Sequence, residues 1–116
     1  MSYYELVWKF VEKIPKGKVM AYGEVARMVG VREVGEIGEV RGKKITANMV
    51  GWALHKNKNP KKIPCHRVVN KDGKLATGYA FGGQVEQKRK LVEEGVIFKD
   101  NQHVNLEICA WTLLKK

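Results

Sequence analysis

Residues 57–64 read NKNPKKIP. Pro60 and Pro64 each remove a backbone donor, fix φ and push the residue before them out of the helical region. No helix or central strand can pass through this stretch, so it is a loop that divides the chain into unlike parts. Ahead of it, apolar residues recur at helical spacing. Behind it come β-prone pairs, turn signals and one further helical pattern.

Ser2-Tyr3-Tyr4-Glu5 has the form of a capping box. Leu6, Val7, Phe10, Val11 and Ile14 follow at helical spacing, which predicts a helix over 3–14 ended by Pro15 and Gly17. A second helix is predicted over 23–29, with Val25, Ala26 and Val29 inward and Gly30 as its stop. Residues 31–45 are a charged loop with three glycines and no clear period. Thr46 is a good N-cap for a third helix over 47–56, with Val50, Ala53 and Leu54 inward. Helix, linker, helix resembles a helix-turn-helix, although the linker exceeds the usual three or four residues. Beyond the prolines, 65–69 reads as extended or turn and Lys71-Asp72-Gly73-Lys74 as a tight turn. GYAFGG is a Gly/aromatic loop, 85–94 a helix ended by Gly95, and 96–98 a short strand. Asn105 caps a last short helix reaching Trp111.

At 116 residues this is one domain. No stretch approaches the roughly 18 apolar residues of a membrane span. No basic segment with a following apolar run marks the N-terminus as a signal peptide. Two cysteines are too few for a disulfide scaffold, so reduced thiols and a cytoplasmic location are expected, nucleoid-associated if the source is prokaryotic. The net charge is +10, and between Arg41 and Lys71 there are nine Lys or Arg and no Asp or Glu. A solvated face would account for some of this. The exclusion of acids favours a surface that follows phosphates, and such surfaces bind in a salt-sensitive way.

A thiol attacks as its thiolate, and nearby positive charge favours that form. His66, Arg67, Lys61 and Lys62 all lie within four residues of Cys65. Against this, a lone cysteine is commonly a small buried hydrophobe, and context alone leaves both readings open. Neighbours on an extended segment point to opposite faces, so His66 is expected to reach Cys65 through a water or a bend. Zinc sites need about four ligands at paired spacing. Cys65 and His66 are adjacent while Cys109, His55 and His103 are isolated, so no metal site is expected. Cys109 reads as packing.

PCHRVV, with Asn57 eight residues before the cysteine, strongly resembles the O6-alkylguanine-DNA alkyltransferases. IPKGKVMAYGEVA upstream, VGWALHKN in the third helix, and DGKLATGYAFGG and KRKLVEEG downstream appear in family order. The likeness runs from about Leu6 to Gly95. It implies a mainly α, winged helix-turn-helix-like single domain with a small β wing, spanning residues 1–116. The N-terminal ribonuclease-H-like domain common in the family has no counterpart in this sequence. It further implies a monomer that binds double-stranded DNA by the minor groove and flips out alkylated guanine. The alkyl group moves permanently to the cysteine, in a single turnover without cofactor.

Residue by residue, the resemblance makes Cys65 the acceptor and His66 its water-linked base. Glu94 orients the histidine and Asn57 braces the loop. The Tyr22 hydroxyl reaches the flipped base and helps guanine leave. The Val68 carbonyl accepts from the guanine amino group, and Tyr79 and Ala80 form the pocket loop. Gly51 lets the recognition helix approach DNA closely. Arg41, Lys43, Lys44, Lys56 and Arg67 are expected among the DNA contacts.

Several positions depart from the family. Asn48 stands where members carry the arginine that fills the gap left by the flipped guanine. Trp52 stands where many carry something smaller, either as a stacking platform or as a rim aromatic. The 31–45 linker is longer than usual. A rival follows from the short chain: alkyltransferase-like proteins bind alkylguanine without repairing it and pass the lesion to nucleotide-excision repair factors. Their usual mark is tryptophan or alanine in place of the cysteine, which this chain keeps. An ordinary helix-turn-helix regulator would explain the charge and the helices but not PCHRV with Glu94, and it would prefer one base sequence.

Overall fold

The computed structural model describes residues 2–30, 39, 40, 43–76 and 78–111, with the backbone alone at 39, 40, 43 and 44. The first helix, α1 (Tyr3–Val11), starts as predicted: Ser2 Oγ accepts from Glu5 N, and Glu5 Oε1 accepts from Ser2 N, both at 3.3 Å. It ends earlier than predicted. Lys13 N and Ile14 N donate three residues back, to Phe10 and Val11. Pro15 disfavours α geometry at Ile14, so the last turn tightens.

A two-residue strand, β1 (Met20–Ala21), leads into α2 (Tyr22–Val29). That helix opens one residue before its predicted start and so puts Tyr22 in its first turn. Inside the predicted loop 31–45 is a small antiparallel ladder, β2 (Glu39–Val40) with β3 (Lys43–Lys44), in the register Glu39↔Lys44. Strands of two residues leave no periodicity to read. Thr46 caps α3 (Ala47–His55) by accepting from Met49 N. A single 3₁₀ turn, Cys65–Arg67, runs into β4 (Val68–Val69), which pairs in parallel with β1.

The Lys71–Lys74 turn forms as predicted. Gly73 sits at φ 91° there, and a Cβ would lie 2.6 Å from the Val104 carbonyl, so only glycine fits. The last two helices are α4 (Gly83–Glu93) and α5 (Leu106–Cys109). Asn105 caps α5, but that helix stops short of Trp111. The predicted strand over 96–98 is reduced to one bridge, Phe98↔Val104. No helix among the described residues is long and apolar enough to cross a membrane.

Two apolar clusters hold these parts together. The larger lies among α1, α2 and α3 and includes Ile63, Cys65, Val68 and Tyr79. The smaller gathers Val19, Val69, Leu75, Leu91, Val96, Val104 and Cys109. Strand alternation sends Val68 into one and Val69 into the other. The turn carrying Cys65 therefore sits where the two clusters meet.

Candidate active site and DNA surface

The loop dictated by the two prolines delivers Cys65 to the floor of a cleft of about 490 Å³. Tyr22 from α2 lines it, with Asn48, Gly51, Trp52 and His55 from α3 and Gly78 to Ala80 from the following loop. Cys65 is 5% exposed. Asn57 is buried and fixes the turn: Nδ2 donates to the Ile63 carbonyl at 3.0 Å and lies 3.5 Å from Cys65 Sγ, while Oδ1 accepts from Asn59 N. The bracing role implied for Asn57 has this geometry behind it.

Of the two forms expected for this segment, extended or turn, Cys65-His66 takes the turn: it is wound into the 3₁₀ turn, closed by Arg67 N donating to the Pro64 carbonyl. His66 consequently points to the end of α4. Its Nε2 is 2.9 Å from Glu94 Oε2. Arg67 grips the same carboxylate with Nε at 2.9 Å and Nη2 at 2.8 Å, and Nη1 donates to the Ile14 carbonyl at 2.6 Å. Burial opposes charge on Glu94, but the Arg67 and His66 bonds outweigh it and hold the carboxyl below its ordinary range. An ionised Glu94 needs a donor from His66, which puts the ring proton on Nε2. Nδ1 is then the free lone pair. It is buried and has no hydrogen-bond partner among the described residues. Burial first, then the Arg67 and Lys90 charges, hold the imidazole below its ordinary pKa against the pull of Glu94. His66 is thus neutral near pH 7, a base with its acceptor nitrogen open.

Two expectations need correction. Arg67 was expected among the DNA contacts, yet it is 9% exposed and its guanidinium is committed to Glu94 and Ile14. Lys61, Lys62 and Arg67 were expected to favour the thiolate at Cys65. Both lysines are exposed and Arg67 is neutralised. Burial instead pushes the thiol up, tempered by the Asn57 bond and then by Lys90.

Tyr22 is pushed up to about 12 by burial and then by the Cys65 charge, so its phenol keeps its proton. Asn48 and Trp52 are exposed on α3, Trp52 at 58%, with His55 edge-on to its ring. Lys56 is exposed at the end of that helix. A Cβ on Gly51 would meet nothing within 4 Å, so no internal packing demands glycine there. Arg41 lies outside the described residues, as do the side chains of Lys43 and Lys44.

Gln87 was not anticipated. It is fully buried in α4, and Nε2 donates to the His66 and Val68 carbonyls at 3.1 Å each, while Oε1 accepts from Ala76 N at 2.9 Å. A carbonyl has two lone pairs, so Val68 keeps one for a base. Nothing in the sequence separates this glutamine from the half-buried Gln84 beyond the helical face it occupies. Gln87→Leu should cost roughly 1–3 kcal/mol, read from the urea midpoint, because it strands buried backbone groups.

Residues 2–96 match the family described as the 6-O-methylguanine DNA methyltransferase, DNA binding domain. The chain belongs to that family. Among relatives of this alkyltransferase domain, Alkyltransferase-like protein 1 of Schizosaccharomyces pombe is 35% identical over 95 residues, 82% of this chain and 77% of that one. The methylated-DNA--protein-cysteine methyltransferase of Mycobacterium tuberculosis is 36% identical over 92 residues, 79% of this chain. The chain spans about half of that methyltransferase, 47%. The crystal structure of S. pombe Atl1 in complex with damaged DNA containing O6-carboxymethylguanine superimposes with a TM-score of 0.74 at 32% identity, covering 95% of this chain and 94% of that one. The mainly α domain with small β elements expected from the sequence is therefore the alkyltransferase DNA-binding fold.

Proposed function

We propose that this domain binds duplex DNA carrying O6-alkylguanine from the minor-groove side. It takes the flipped base into the cleft and transfers the alkyl group to Cys65. The observation that carries the reading is a thiol at the floor of a base-sized cleft, backed by a buried His66-Glu94 pair whose acceptor nitrogen is free. The Cys65 proton leaves through His66 Nδ1 by way of a water. Sγ attacks the alkyl carbon, the carbon–O6 bond breaks, and its electron pair passes into the guanine ring. Tyr22 supplies a proton to that ring, and solvent restores the balance. The products are a thioether at Cys65 and unmodified guanine, still joined to its sugar in the DNA. The thioether does not revert, so each monomer acts once and needs no cofactor.

Exposed Asn48 and Trp52 on α3, with half-buried Gly51 between them and Lys56 just past the helix end, make the DNA-facing surface in this reading. The open space above Gly51 suits close approach of a backbone. Asn48 is too short and uncharged to fill the stack behind a flipped base. Asn48→Arg should tighten binding to a lesion duplex by about tenfold, the worth of one charge-assisted contact, by fluorescence anisotropy. Weaker binding would place Asn48 in a different flipping scheme.

A second reading has its own support. Burial raises the Cys65 thiol, Asn48 replaces a flipping arginine, and the match to S. pombe Atl1 spans nearly both chains. In that reading the domain marks O6-alkylguanine for nucleotide-excision repair factors without efficient transfer. Intact mass after incubation with an oligonucleotide bearing one O6-methylguanine decides between them. A gain of one methyl establishes transfer. Lesion-selective binding with no gain establishes marking.

A further inference from the structure

One lysine, to which the family resemblance gives no role, is held against the wall of the cleft. Lys90, half-buried on α4, donates from Nζ to Tyr79 Oη at 2.9 Å. Its ammonium also lies 5.9 Å from the Phe81 ring centroid, and the Phe81 and Tyr79 rings meet edge to face at 5.8 Å. A hydrogen bond and one aromatic ring hold the ammonium in place, where a solvated lysine would sweep many rotamers. Because the phenol oxygen accepts from Lys90, its own O–H must donate elsewhere. Tyr79 lines the cleft above Cys65.

We propose that Lys90 is a positioning residue: it fixes Tyr79 as a donor into the cleft and gives the Cys65 thiol its standing positive charge. The functional meaning rests on the transfer reading above, but the electrostatic claim does not. Other groups around the thiol are ill suited to that role. Tyr22 from α2 and Tyr79 from the cleft loop are neutral phenols, Asn57 is an uncharged donor, and His66 is neutral. Arg67 is spent on Glu94, the nearby acid at the end of α4. Lys90 alone among these brings net positive charge, and its charge favours thiolate at Cys65 while discouraging a resting imidazolium at His66. The proton is thereby urged off sulfur and kept from settling on the histidine.

The test is a titration of Cys65 in the full chain, read from the Cβ chemical shift of isotopically labelled cysteine, with Cys65→Ser assigning the signal. Lys90→Met keeps the aliphatic stem and removes the charge; Lys90→Arg restores it. The Cys65 midpoint should rise in Lys90→Met by about one pH unit, a roughly tenfold loss of thiolate at fixed pH. Lys90→Arg should recover most of that. An unchanged midpoint in Lys90→Met overturns the proposal, as does an arginine variant that behaves like methionine, since packing would then be the cause. The titration needs no DNA. A wild type that fails to take up methyl would sink the transfer reading and leave this result standing.

Discussion

Cys65→Ser is expected to bring methyl transfer below detection, a fall on the order of 10⁴-fold or more, while binding to an O6-methylguanine duplex stays within about twofold. A serine hydroxyl in that pocket gives up its proton far less readily than a thiol, and Asn57 and His66 are not arranged to change that. The residues proposed to face DNA lie on or at the end of α3, while Cys65 lies on the turn after the prolines, so in this reading chemistry and docking rest on different elements. Serine is close in size to cysteine and can keep the Asn57 contact. Intact mass reads the first quantity and anisotropy the second. If both fell together, Cys65 would be a structural member of the larger apolar cluster rather than the acceptor.

Glu94→Gln should do two kinds of damage. Three donors converge on this one carboxylate: His66 Nε2, Arg67 Nε and Arg67 Nη2. An amide offers one oxygen and turns a donor toward the rest, leaving the buried Arg67 guanidinium uncompensated. Breaking such a pair from one side costs roughly 3–5 kcal/mol, visible in the urea midpoint. His66 also loses the group that fixes its tautomer, so transfer should slow by about 10²–10⁴-fold. The pH dependence has a definite sign. Glu94 is held below its ordinary range in the fold. Its contribution is therefore complete above the unfolded value of about 4.3 and is lost as pH falls through the folded one. The stability gap between wild type and Glu94→Gln should thus close in acid. A gap that stayed constant, together with an unslowed transfer, would separate Glu94 from both roles.

What the sequence carried well was local or held in motifs. Ser2 with Glu5, Thr46 and Asn105 cap the helices they were expected to cap, because a cap is a contact across three residues. The prolines placed the loop that presents Cys65. Motif resemblance brought together Cys65, Asn57, Tyr22 and Tyr79; in the structure Cys65, Tyr22 and Tyr79 line one cleft, and Asn57 is buried against the thiol. What failed was side-chain direction. Arg67 looks like Lys61 and Lys62 in a basic run, and only Glu94, 27 residues on, turns it inward. Gln87 and Lys90 sit on a helix read only from its length and its glycine stop, yet Gln87 bonds the Cys65–Arg67 turn and Lys90 bonds the Tyr79 hydroxyl at the cleft. The thiol's environment was misjudged for the same reason: charge close in sequence was counted, while burial and a distant lysine set the balance.

The bond from Arg67 to the Ile14 carbonyl ties the carboxylate behind the histidine to the end of α1, where Ile14 is 1% exposed in the same cluster as Phe10. The acid-base pair therefore has no private opening mode. Breaking the Arg67 bonds to Glu94 and to the Ile14 carbonyl disturbs the turn after the N-terminal helix, so the pair is expected to open together with that segment. Its rigidity is inherited from a segment that does not line the cleft.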